Sequence, residues 1–491
     1  MRKPHRNTSP GAEHQAGRRR LLQGTGAWVG LSGVSGLSAL AISGVAQAQT
    51  APAAEAAEPP RLALLIGNRD YPEGEDLPPI HKNVRDLRAV LEKRGFTVSD
   101  GLDLDLAQAK AAVEAFSAKV RAAPPDATVL FYFSGHGAQV DAENLLVSAR
   151  FSPKARPDNL ARASLTLTAG VIGQLPVRPL GLTIAIIDAC RTSLRDVARS
   201  DGLNQVEAPP GCLIAFATGA GKPAIAPADD TRNTFYTASL VKVFESASDE
   251  ISFSDAFWLV KYDVQNTMLN HPVPLLRQFA QYPFIAENTQ VRRRLAPRPS
   301  AAALAEAAAI ATTEANVAAT AAANAERRLA AQDFARLEAA LWPPEVARLA
   351  NEYLDKHPRS ALAGSAQVAR EGAAEAAQIL RRNDVRLFRS AFGLPPDSLP
   401  EQQSDLVKAA RGDKDAAARL GRIYRRDTVR ADNGRYEGWL QYAAALGNGI
   451  ASYELALHYR RIELPLLASQ FETRARELGY TPPPSLDNTR K

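Results

Sequence analysis

Cysteine and methionine are nearly missing from this 491-residue sequence, with two of each. So few thiols exclude a disulfide-stapled scaffold and a cysteine-rich zinc module. Among the seven histidines, His81, His271, His357 and His458 each lack a second His or Cys at metal-ligand spacing, so no metal and no cofactor is read. No P-loop and no dinucleotide-type glycine fingerprint occurs. Long apolar runs are also lacking. Outside the N-terminal leader, no segment approaches the ~18 residues that a permanent membrane span needs.

A surplus of one charge is missing too, although the formal +6 suggests one. Residues 1–48 hold Arg2, Lys3, Arg6, Arg18, Arg19 and Arg20 against Glu13 alone, and the rest balances 53 basic against 52 acidic residues. The basicity belongs to the leader, so no nucleic-acid partner is expected. That leader has a charged start, a Gly- and Ser-rich, modestly apolar stretch from Gly24 to Gly44, and a small-x-small site at Ala46-Gln47-Ala48. Paired arginines ahead of Leu21-Leu22 resemble a twin-arginine signal, which predicts export to the periplasm. An ordinary secretory signal or an uncleaved anchor is the plain alternative. Residues 49–60 read as an Ala/Pro/Glu linker.

Two apolar runs organise the segment after the linker. Ile184-Ala185-Ile186-Ile187-Asp188-Ala189-Cys190 ends on a cysteine, and Phe131-Tyr132-Phe133-Ser134-Gly135-His136-Gly137, 54 residues upstream, ends on a histidine and a glycine. Each is apolar throughout rather than alternating, the signature of a strand buried on both faces of a parallel sheet. Reactive groups in such sheets gather beyond the carboxyl ends of the strands. A histidine and a cysteine at neighbouring strand ends put a base beside a thiol, so His136 and Cys190 are the candidate catalytic pair. Taken singly, each has a bland alternative, a satisfied core histidine and a small buried residue.

The second cysteine opens its own run, Cys212 to Thr218. In a parallel sheet it would lie at the opposite end from Cys190, about 17 Å away at ~3.3 Å per residue. That is beyond disulfide reach, so Cys212 is read as a structural thiol. Elements alternate along the rest of this segment. A strand at Arg61–Asn68 precedes a loop from Tyr71 to Pro79. A helix at Asn83–Arg94, a short strand at Phe96–Val98 and a helix at Leu106–Ala122 lead to the His136 strand. Leu145-Leu146-Val147 reads as a small strand, 151–167 as loop, and Thr168–Leu175 as a short helix. Beyond Cys190, Arg191–Gly211 is a long polar loop. Helices at Thr234–Glu245 and Ser252–Met268 and a strand at Tyr282–Ile285 finish the segment.

The His-Gly pair after one strand and Asp-Ala-Cys after another, about 50 residues on, resemble the caspase-like cysteine peptidases. Asp188 and Thr192 stand where true caspases carry Gln and Gly, which resembles the metacaspase and bacterial caspase-like branch. Asn233–Thr237 and Ala217–Gly221 occupy places that recur in bacterial members. The resemblance covers about Arg61 to Ala286. It implies an α/β fold with a doubly covered, mostly parallel sheet, and oxyanion binding by the amides of Gly137 and Cys190. It also implies that Asp86 and Ser134 match positions that bind a basic substrate side chain in metacaspases. Asp188, two residues before Cys190, shares its strand face. Asp86 and Asp188 with no obvious protein cation predict cleavage after Arg or Lys, with Arg favoured for bidentate pairing. The plain alternative is that Asp86 favours its helix N-terminus and Asp188 bonds a backbone amide. Of the acidic calcium cluster that some metacaspases carry, only Asp141 and Glu143 are present, so calcium dependence is not expected.

Past a linker at 288–300 the composition changes. Residues 301–340 hold 20 alanines and read as a long helix with a thin apolar stripe, broken by Pro343-Pro344. Short helices come next at Val346–Leu354, Ala361–Leu380 and Val385–Phe392. Ala409-Ala410-Arg411-Gly412 then recurs as Ala444-Ala445-Leu446-Gly447, an offset of 35 that continues through Leu420/Leu455 and Tyr424/Tyr459. A 35-residue helix-pair period with an Ala-Ala-x-Gly corner resembles SEL-one-like repeats, relatives of the tetratricopeptide family. Such repeats imply a protein partner on a concave face, or simple packing against the preceding domain.

The chain thus reads as a signal at 1–48, a peptidase domain at 61–287, an Ala-rich helical region at 301–400, an all-α helical-repeat region at 401–480 and a tail at 481–491. The function read is that of an envelope cysteine endopeptidase acting on peptide or protein substrates. The rival reading is a catalytically vestigial envelope scaffold that works through its repeats.

Overall fold

The computed structural model describes residues 58–140, 143–189, 192–193, 206–219, 224–297, 314–394, 398–426 and 432–480. The signal read at 1–48, Asp141, Cys190, most of the loop after it and the tail lie outside the described residues. In chain order, the first elements are β1 (Arg61–Gly67), α1 (Ile80–Lys93), β2 (Phe96–Leu102), α2 (Leu106–Ala122), β3 (Thr128–Gly135), β4 (Gly137–Val140), β5 (Glu143–Val147), α3 (Pro157–Ala163), β6 (Ser164–Thr166), β7 (Leu182–Ala189), β8 (Thr192–Ser193) and β9 (Cys212–Phe216). Helices α4 (Phe235–Ser246), α5 (Phe253–Leu269) and α6 (Pro274–Gln278) and strand β10 (Phe284–Asn288) complete the domain.

The main sheet has the order β10-β9-β7-β3-β1-β2 and is parallel except for β10, which runs against β9. Every residue of β3, β7 and β9 is buried, as strands covered on both faces require. Side chains alternate between the two faces. Leu130, Tyr132, Ile184 and Ile186 join the core under α1, α4 and α5, whereas Val129, Phe131, Phe133, Ala185 and Ile187 join the core under α2. Capping boxes fix the starts of α2 (Asp105 with Gln108) and α5 (Ser252 with Asp255).

Cys212 pairs with Thr183 at the amino end of β7, the far end from Ala189. Burial pushes its thiol up to about 11, as suits a structural cysteine.

Several sequence expectations shift. Helix α1 starts at Ile80, directly after Pro79, so Asp86 lies in its second turn rather than its first. The stretch 151–167 contains α3, with Pro157 at its first position, and β6. The helix expected at Thr168–Leu175 is only a 3-10 turn at Ile172–Gln174. Strand β4 escaped notice, being four residues with Gly and Gln among them. With β5, β6 and β8 it builds a second, four-stranded sheet.

The helical region comprises α7 (Glu314–Ala339), α8 (Pro343–Lys356), α9 (Ala363–Ile379), α10 (Pro400–Ala409), α11 (Lys414–Arg426), α12 (Asn433–Ala445), α13 (Gly449–Arg461) and α14 (Pro465–Glu477). Val385–Phe392 is not the expected helix. Only Arg389–Ala391 coils, and the Arg386 amide donates to the Gln441 side chain at 2.8 Å. The 35-residue period falls on α10–α11 and α12–α13. Gly412 and Gly447 close α10 and α12 with φ of 83° and 95°, a conformation that suits glycine. No described helix is long and apolar enough to cross a membrane. The helices pack on the first domain through α9 against α5, where Ser365 donates to Asp255 at 2.6 Å.

Candidate active site

Strands β1, β3, β7 and β9 run parallel, so the chain leaves all four at the same edge of the sheet. Sequence order reverses between β1 and β3, and loops after strands on either side of such a switch point enclose a crevice. The loop after β1 and His136 after β3 meet there.

His136 is held from three sides. Its amide donates to the Tyr71 hydroxyl at 3.1 Å, and its carbonyl accepts from the Val147 amide at 3.0 Å. Its Nε2 lies 2.7 Å from the Glu75 carbonyl oxygen. A carbonyl can only accept, so Nε2 carries the hydrogen and the lone pair of the neutral ring sits on Nδ1. The Tyr71 ring packs edge-on at 4.5 Å between centroids. Burial pushes the Tyr71 phenol well up, so it stays a donor, and it gives its hydrogen to Val147 O at 3.1 Å. Burial lowers His136 below its ordinary value, partly offset by the bond to Glu75. The loop is itself tied down: Asp76 accepts from the Tyr71 amide at 2.7 Å, and Lys154 pairs with the Glu75 carboxylate at 2.5 Å. Gly135 leaves room for all this, since a Cβ there would stand 2.7 Å from the Tyr71 oxygen and 3.2 Å from Asn68 O.

The register beside His136 carries the most information. Gly135 pairs with Ala189 in the main sheet, and Ala138 pairs with Thr192 in the small one. Both pairs are 54 apart, the separation of His136 from Cys190. The two residues follow paired positions and precede paired positions, with the same offset on either side. Gly137 opens β4, opposite Leu146.

One residue pair before Gly135 and Ala189, Ser134 lies opposite Asp188. Asp188 is 3% exposed. Its Oδ2 accepts from the hydroxyls of Thr234 at 2.5 Å and Thr237 at 2.7 Å, and from Asn83 Nδ2 at 3.5 Å. Asn83 also donates to Ser134 Oγ at 3.2 Å and accepts from the Thr234 amide at 3.1 Å. Tyr132 closes the network through Thr237 at 2.7 Å. Asp188 Oδ1 is buried and has no hydrogen-bond partner among the described residues. Burial raises the Asp188 carboxyl above its ordinary range, against the pull of the Thr234, Thr237 and Tyr132 hydroxyls.

The structure therefore joins Ser134 with Asp188 and brings Asn83 to them. Asp86 is engaged by Lys82 at 2.6 Å and by Arg85 at 3.4 Å on its own helix. Tyr71, Glu75, Asn83, Thr234 and Thr237 are contributors that sequence reasoning missed. The glycine after β1 and the Asn-Thr pair before α4 were the available signals, but nothing in their spacing says what they touch. Two of the lone histidines pair with carboxylates: His81 with Asp103 at 2.7 Å and His357 with Asp333 at 3.0 Å.

Residues 60–294 match the family model described as Caspase domain. The match takes in just under half of the chain, and over it the chain is similar to that family. No curated protein matches the chain. Among solved structures the chain is similar to the crystal structure of caspase-1 from Spodoptera frugiperda, at 18% identity over 50% of this chain and 92% of that one, with a TM-score of 0.37. That similarity supports a cysteine peptidase fold for the caspase-like domain, and the helical region comes after it.

Proposed function

We propose that the protein is a cysteine endopeptidase in which Cys190 is the nucleophile and His136 its base. The observation that carries this is the constant offset of 54 on both sides of the two residues, together with the Glu75 carbonyl that leaves Nδ1 of His136 as the free acceptor. In this mechanism the thiol proton passes to Nδ1 and the thiolate attacks the scissile carbonyl. The amides of Gly137 and Cys190 hold the oxyanion. His136 then returns the proton to the leaving amine, and water hydrolyses the thioester. The anchoring of His136 by Tyr71, Glu75 and Val147 supports a working site over a vestigial one.

The residue before the cleaved bond is basic in this reading. A buried carboxylate with one oxygen saturated and the other unpartnered favours a cation that completes it. A guanidinium would do so with charge-assisted bonds, and would draw Asp188 into its ionised form despite its burial. The pocket then rests on Asp188 with Asn83 and Ser134, since Asp86 already has its lysine. This preference supports the metacaspase-like branch. The leader at 1–48 supports export to the periplasm, and the 35-residue period supports SEL-one-like repeats.

The test is hydrolysis of a fluorogenic peptide set varied at the residue before the cut. Arg is expected to exceed Lys, with no cleavage after Asp. Asp188→Asn should lower cleavage after Arg by ~30-fold or more, the lower end of the cost of unpairing a buried charge. Preference for Asp, or an Asn variant as fast as the parent, would remove the pocket assignment.

A further inference from the structure

One edge of the main sheet is β10, and its outward side belongs to no other strand among the described residues. Along a strand, carbonyls alternate in direction. Asn288 O accepts from Gly211 N at 2.7 Å on the β9 side, so the carbonyls of Ile285, Glu287 and Thr289 turn outward. Each of these three is taken by a cation from the helical region. Lys414 Nζ donates to Ile285 O at 3.2 Å, Arg419 Nη1 to Glu287 O at 3.3 Å and Lys408 Nζ to Thr289 O at 2.6 Å.

The donors are themselves fixed. Asp405 accepts three bonds from Arg419, at 2.7 to 3.1 Å. Glu287 Oε1 pairs with Lys408 at 3.1 Å, and Lys414 stands 4.3 Å from the Phe284 ring centre. A bare strand edge with outward carbonyls is a template for a second chain, and covering it is one way proteins avoid that.

We propose that α10 and α11 are a built-in edge cap, in which three cations stand in for a neighbouring strand and keep the caspase-like domain from pairing through β10 with a second copy of this chain. The helical region then has a task inside the molecule, independent of any outside partner.

The test uses the full chain by sedimentation velocity, with hydrogen exchange over residues 284–289. The parent is expected to be monomeric. In Lys408→Glu/Lys414→Glu/Arg419→Glu each carboxylate faces a carbonyl oxygen and drives the helices off the edge. That variant should dimerise at least ~10-fold more tightly than the parent, a shift of about 1.4 kcal/mol. Adding Ile285→Pro should restore the monomer, because the Ile285 N–H points outward and proline is tolerated at a strand edge. If circular dichroism shows the triple variant unfolded, Lys414→Glu alone is judged by the same criteria. A folded charge-reversed variant that stays monomeric with unchanged exchange overturns the proposal. So does a dimer that survives Ile285→Pro, or a parent dimer that Ile285→Pro dissolves.

Discussion

The sheet end of the caspase-like domain and the exposed faces of the helical region pair polar groups in opposite ways. At the sheet end, Asn83, Ser134, Asp188 and Thr234 come from segments up to 151 residues apart. None is within one helical turn of another in sequence. On the helices, Arg348 pairs with Glu345 and Glu352, Arg370 with Glu371 and Arg382 with Asp384, all within four residues and on exposed faces. Local pairs form as soon as a helix forms and are worth little. A long-range polar cluster forms only when the whole fold does, and its burial is costly unless every group is placed. At the sheet end this assembly surrounds the candidate site, although distant polar pairs also join helices, as Arg422 with Glu454 and Asn448 with Asp415 do. The helical region has long-range polar contacts that point back at the sheet, through Lys408, Lys414 and Arg419.

The sharpest way to break this comparison is at the strand ends. His136→Ala and Cys190→Ala are each expected to lower peptide hydrolysis by ~10³-fold or more while the fold is kept, the scale on which a positioned base acts. Turnover within tenfold of the parent in either folded variant would remove the pair from catalysis.

Two glycines give the next contrast. Alanine at Gly135 would put a methyl 2.7 Å from the Tyr71 oxygen, so Gly135→Ala should destabilise by about 1–3 kcal/mol through forced displacement of Tyr71, and reduce kcat with it. Gly393→Ala, where a Cβ meets nothing within 4 Å, should stay within about 0.5 kcal/mol. Urea unfolding of both variants measures the gap, and equal effects would show that Tyr71 has room to yield.

The pH dependence is set by His136. Burial holds it below its ordinary 6.5, so folding favours the neutral ring. The stability this contributes is complete above 6.5 and is lost as pH falls through the folded value. The same sign governs the base, so the acid limb of kcat/KM should have its midpoint below 6.5. A midpoint above it would mean that a neighbouring negative charge, rather than burial, dominates the ring.

Much of this was legible in the sequence, and unevenly so. Buried parallel strands announce themselves as unbroken apolar runs, so β3 and β7 and the candidates at their ends could be read directly. Helix α2 spans Leu106–Ala122, the bounds expected from the sequence. That Asn83, one helical turn before Asp86, bonds Ser134 and Asp188 could not be read from apolar spacing, which also missed that α1 starts directly after Pro79. A carbonyl such as that of Glu75 carries no residue signature at all. Strand β4 and its pairing with β8 were illegible for the same reason: short strands are made by their neighbours, not by their own propensity.

The smallest expected effect belongs to the helices. Arg348 reaches Glu345 and Glu352 from the exposed face of α8 and half of its surface meets solvent. Two nearby carboxylates suggest a strong anchor, yet both sit in high dielectric and each fixed rotamer costs entropy. Glu345 also gains from the positive end of its own helix, whether or not Arg348 is present. Arg348→Ala removes one charge and replaces arginine with the best helix former, which offsets part of the lost pairing. The net change in unfolding free energy should be within about 0.5 kcal/mol, and peptide hydrolysis should be unchanged. A loss of about 2 kcal/mol or more, approaching the cost of breaking a buried network, would mean that this local pair does what the sheet-end cluster does, and the distinction between the two regions would fail.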